Sequence, residues 1–74
     1  MPPTSMTTLR PATRLEDLFD AWVFAAHDAT EALRAWVAAL PRDRAAAHTV
    51  YRAALDREES AAVALKAASR RRRR

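Results

Sequence analysis

Hydrophobic positions between Leu15 and Leu40 recur in alternating steps of four and three: Leu15, Phe19, Trp22, Ala26, Ala29, Leu33, Trp36 and Leu40. That rhythm holds a coiled-coil-like seam on one side of an α-helix for more than three heptads. Leu18, Ala25 and Ala32 lie on one flank of the seam, and Val23 and Val37 on the other. The apolar arc therefore covers about half of the helical wheel, more than one neighbouring helix can cover. A second stripe, Ala47, Val50, Tyr51, Ala54, Leu55, Ala61, Ala62, Leu65 and Ala68, is narrower and built mostly of small residues. Small residues let two helix backbones approach closely, while the Trp, Phe and Leu groups of the first helix fill the remaining space.

Pro41 divides the two stripes. It pushes Leu40 out of the α region and so ends the first helix within about a residue. The second helix starts either with Pro41 at its first position or with Asp43 as its N-cap, two readings the sequence leaves open. Thr13 and Glu16 form the T-x-x-E pattern of a capping box at the start of the first helix. The pattern predicts an all-α chain: a leader over 1–12, a helix over 14–40, a short connection, a helix over 42–69, and an arginine tail over 70–74. A connection that short makes the helices antiparallel neighbours.

Composition sharpens the architectural expectation. Of 74 residues 19 are alanine, so much of the 50% apolar content has little volume to bury. At this size a single core supplies roughly 3–5 kcal/mol. Cysteine is absent, which removes disulfides and thiol chemistry. Oligomerisation or a partner is the remaining route to stability. The expected assembly is a four-helix bundle of two hairpins, or a hairpin docked on a helical protein partner.

Charge is unevenly spread. The net charge is +4, but Arg70, Arg71, Arg72, Arg73 and Arg74 carry +5, so the other residues are net −1. The first helix is acidic, with Glu16, Asp17, Asp20, Asp28 and Glu31 against Arg14 and Arg34. No window approaches the ~18 apolar residues of a membrane span, and an acidic helix face is repelled by anionic lipid. The leader has no apolar core of a secretory signal. Arginine outnumbers lysine twelve to one, and Gly, Ile, Asn and Gln are missing, as in chains from GC-rich genomes. A cytoplasmic, bacterial protein is expected.

The candidate chemistry is sparse. Glu58 falls in the middle of the second stripe, where an unpaired carboxylate is costly. It is expected to fix register or oligomer state, as a buried polar group does in a coiled coil. Carboxylate metal sites in helical bundles use Glu-x-x-His on inward faces. Each of Glu16, Glu31, Glu58 and Glu59 lacks a histidine three residues later. His27 and Glu31 share a polar face, and His48 is expected to be exposed. No Ser–His spacing suggests a dyad, and no glycine is available for a phosphate loop. No enzyme, metal, cofactor or small-molecule substrate is expected. Phe24 stands on the polar side of the first helix, and with nearby alanines it is a candidate second contact surface.

The arginine run gives the most direct functional suggestion, because adjacent guanidinium groups attract any polyanion. Phosphate contacts of this kind position a protein without reading bases. The expected function is a small interaction or regulatory module. It self-associates through Leu15, Phe19, Trp22, Leu33, Trp36, Leu40, Tyr51, Leu55, Glu58 and Leu65, and it contacts DNA or RNA through Arg70–Arg74. The alternatives are a protein-only adaptor with an incidental tail and, more remotely, a metal-binding bundle.

Overall fold

The computed structural model describes residues 15–73, with side chains for 15–72. Helix α1 spans Leu15–Ala38, a 3-10 turn spans Pro41–Asp43, and helix α2 spans Arg44–Arg73. Among the described residues there is no strand, and the two helices pack along each other. Trp36 meets His48 and Tyr51 beside the turn, while Leu15 and Phe19 share a cleft with Leu65, Ser69 and Arg72 at the other end. The hairpin is antiparallel. The leader, the capping-box Thr13 and Arg74 lie outside the described residues.

Proline sets the turn. Leu40 is extended, at φ −69° and ψ 156°, as the residue before a proline must be. Pro41 takes the first position of the 3-10 turn, where its missing N–H costs nothing, and α2 begins immediately after Asp43. The Asp43 N–H donates to the Leu40 carbonyl at 2.8 Å. Helix α1 has no basic residue in its last turn. Its free Ala39 carbonyl instead accepts a hydrogen bond from the Arg44 guanidinium at 3.0 Å. The first residue of α2 thus closes the end of α1.

The packing seam is rotated from the one the 4-3 rhythm predicts. Leu15, Trp22, Ala26 and Trp36 are half-buried and Ala29 is buried, but Phe19, Leu33 and Leu40 are exposed. Their place is taken by Leu18, Ala25, Ala32 and Ala39, all half-buried and mostly from the expected flank. Val50, expected in the second stripe, is also exposed. One neighbouring helix covers only part of a half-wheel arc, and close approach favours the alanine side. Among the described residues the buried ones are Ala29, Ala54 and Ala68, with Ala54 at 1% exposure. Each alanine methyl contributes only about 0.8 kcal/mol on burial. Trp22, Trp36, Tyr51 and the leucines roof the seam without being fully enclosed.

Aromatic contacts join the two helices beside the turn. Trp36 lies 4.6 Å from the His48 ring and 5.6 Å from Tyr51, with which it stacks at 24°. His48 is therefore half-buried against an indole rather than exposed as its isolation in sequence suggested. Phe19 and Trp22 make a tilted contact at 5.9 Å near the open end.

The seam gives a direct test. Ala54→Leu forces a larger group between close backbones and is expected to destabilise the hairpin by about 1–3 kcal/mol. Ala45→Leu, on the exposed side of the same helix, is expected to change stability by no more than about 0.5 kcal/mol. Chemical denaturation followed by circular dichroism compares the two.

Candidate interaction surface

The rotation of the seam leaves a second heptad stripe on α1 without a neighbour. Phe19, Val23, Leu33, Val37 and Leu40 are 49%, 43%, 38%, 73% and 54% exposed. With Ala26 and Thr30 they continue the 4-3 rhythm over the length of the helix. Thr30 does not interrupt the stripe's apolar character. Its hydroxyl donates to the Ala26 carbonyl at 3.1 Å, so covering it strands no donor. In an antiparallel pair this side of α1 adjoins the side of α2 that carries Leu55 and Ala62, both half-buried. The hairpin thus presents one broad apolar face formed by both helices, larger than scattered surface hydrophobics require.

The residues expected at the interface divide into two groups. Leu15, Trp22, Trp36, Tyr51, Leu55 and Leu65 line the hairpin seam and reach its edge half-buried, while Phe19, Leu33 and Leu40 belong to the open face. Val23 and Val37 were read as flank and are in fact central to that face. The shift could be seen in the sequence only as an arc too wide for one neighbour. Glu58 is half-buried in the α2 seam. Among the described residues no buried side-chain oxygen or nitrogen lacks a partner, so the Glu58 carboxylate is not stranded in the seam.

Arginine positions are helical. α2 continues four residues past Ser69, through Arg73, in one unbroken helix. Arginine is a strong helix former, and no glycine or proline interrupts the run. The cations also sit at the negative end of the helix dipole. Arg70, Arg71 and Arg72 are exposed and point away from the axis at successive 100° steps. Lys66 shares a face with Arg70 one turn away. Arg72 lines the cleft at the open end together with Leu15, Glu16, Phe19, Leu65 and Ser69. The arginine run and one end of the apolar face are therefore contiguous.

Other sequence candidates stand apart from this face. Phe24, the candidate second contact surface, is 71% exposed. Glu31 pairs with Arg34 at 2.7 Å on the solvated side of α1, a bridge that contributes little to stability. Among the described residues no group of three His, Cys, Asp or Glu could hold a metal ion. No described helix is long and apolar enough to cross a membrane. Comparison with protein-family models, with curated proteins and with solved structures gave no match.

Proposed function

We propose that the chain is a small non-enzymatic interaction module: two hairpins self-associate through the open face into a four-helix bundle that carries its arginines to a nucleic acid without reading sequence. The observation that carries this reading is the unpartnered heptad stripe Phe19, Val23, Leu33, Val37 and Leu40, contiguous with the arginine end of α2. An apolar face of two helices is roughly 36 Å by 20 Å. Covering it removes about 700 Å² per copy, close to the area of a standard stable interface. Arginine is the side chain best matched to phosphate, and five in succession supply charge without base specificity. The alanine and arginine bias of the composition supports a cytoplasmic, bacterial setting.

Self-association predicts a melting temperature that rises with protein concentration. Val37→Lys, in the most exposed member of the stripe, is expected to give a monomer by sedimentation with a lower, concentration-independent melting temperature. A concentration-independent melting temperature in the unaltered protein overturns the bundle. Covering the face also encloses Glu58, so Glu58→Leu is expected to stabilise the assembled protein, by about 1–4 kcal/mol if the carboxylate is fully enclosed. Thermal melts at matched concentration measure it.

Polyanion binding is tested with a short DNA duplex of arbitrary sequence. Affinity is expected to fall steeply between about 50 and 200 mM salt, with a slope of about −0.9 for each phosphate neutralised. It is expected to disappear in a chain ending at Ser69. Equal binding by the shortened chain removes the arginines from the reading and leaves a protein-only adaptor.

A further inference from the structure

We infer that the second copy docks with its two-fold axis parallel to the helices, so that α1 lies on the partner's α2 and both arginine ends emerge from the same end of the bundle. This rests on the self-association proposed above and specifies its orientation. Two flat hairpins stacked through equivalent faces have two ways to satisfy a two-fold axis in the interface. An axis across the helices sets α1 on the partner's α1 and α2 on the partner's α2. An axis along the helices sets α1 on the partner's α2, on both sides of the bundle. Every neighbouring pair is antiparallel in both, so helix dipoles do not choose between them.

Side-chain volume does. On the open face α1 supplies bulk, with Phe19, Val23, Leu33 and Val37, while α2 supplies Leu55 and small residues such as Ala62. With the axis across the helices at mid-height, α1 on the partner's α1 sets Phe19 level with the partner's Leu33, bulk on bulk, and Ala26 level with its own copy. That contact is overpacked at one level and void at the next, and both cost stability. Placing α1 on the partner's α2 opposes bulk with clearance along both sides.

Rim charge makes the same choice. The outer edge of the face on α1 carries Glu16, Asp20, His27 and Arg34, and the outer edge on α2 carries Arg52, Glu59, Lys66 and Arg70, all exposed. Trp36 is level with His48 and Tyr51, and Leu15 with Ser69 and Arg72. Interpolating the 1.5 Å rise between these anchors sets Glu16 level with Arg70, Asp20 with Lys66, His27 with Glu59 and Arg34 with Arg52. An axis along the helices preserves these levels and turns them into contacts between copies. Asp20 then meets the partner's Lys66, Glu16 meets the partner's Arg70, and His27 meets the partner's Glu59. The one like-charged pair is Arg34 with the partner's Arg52, and Arg34 is already held by its own Glu31 at 2.7 Å. An axis across the helices at mid-height reverses the levels: Asp20 then falls near the partner's Arg34, but Arg52 falls on the partner's Lys66 and Glu59 on the partner's Glu59, so two like-charged pairs stand against one opposite pair. With the axis along the helices, the arginines of both copies converge at the end that also holds Glu16, Asp17 and Asp20 of each α1. The acids moderate the repulsion, and a single polyanion engages both copies.

The chain has no cysteine, so one introduced at the exposed Ala45 near the turn labels a single position. Pulsed dipolar spectroscopy on the spin-labelled, assembled protein is expected to give a separation of roughly 20–30 Å, because both labels lie at the same end. Opposite ends give a separation of more than about 40 Å, which overturns the orientation while leaving self-association standing. A monomeric mass with no dipolar signal overturns both. A charge exchange reads the same contact independently. Asp20→Lys and Lys66→Asp are each expected to weaken self-association several-fold, and the double variant to restore it. Strengthening by Lys66→Asp alone, as relief of Lys66 facing the partner's Arg52 would produce, rejects the arrangement.

Discussion

Close approach of two alanine-lined helix faces is the constraint from which the rest of this structure follows. Among the described residues Ala29, Ala54 and Ala68 are the buried ones, and none is large enough to hold the helices apart. Dispersion between well-fitted backbones and small side chains replaces the volume of an ordinary core. Such a seam cannot also enclose Phe19, Leu33 or Val37, so the hairpin turns its bulk outward. A single layer of two helices has no second side to bury it against. What looks like an incomplete fold is a face made ready by the choice of seam.

The two ends of the hairpin are built differently. Beside the turn, Trp36 stacks on Tyr51 and against His48, and Arg44 reaches back to the Ala39 carbonyl. Proline fixes the chain between them, so local geometry and tertiary contacts agree at that end. At the open end, Leu15, Phe19 and Leu65 line a cleft bordered by Glu16 and Arg72. The apolar contact there is shallower and the charge density higher. The apolar cleft and the arginine end of α2 are thus brought together where the hairpin is least closed.

Continuation of α2 through Arg73 changes what the arginines can do. In an extended tail, five guanidinium groups would adapt to any phosphate spacing. Along a helix they advance 1.5 Å and 100° per residue, and only groups one turn apart share a face. Lys66 and Arg70 form such a pair on the rim, while Arg72 turns toward the cleft. The acidic first turn of α1, with Glu16 and Asp17, faces the same end and lowers the repulsion among the cations. The internal acids therefore offset part of this positive charge, an interaction that salt screens.

The sequence by itself determined the two helices, the turn and the antiparallel pairing. Pro41 forces an extended Leu40 whatever surrounds it, and the 4-3 rhythm from Leu15 to Leu40 leaves no other regular structure in which those residues share a side. The excess width of the α1 stripe was equally legible, because it depends on counting positions and not on packing. Which part of that arc the hairpin would use was not legible. Leu18, Ala25 and Ala32 compete with Phe19 and Leu33 for the same neighbour, and periodicity gives both sets the same period. Only the fit of α2's alanines against α1's alanines decided between them. His48 beside Trp36 belongs to the same class, since ring contacts across a turn are set by neighbours in space. The helical course of the arginines has a local cause instead, the helix preference of arginine in a run that no glycine or proline interrupts.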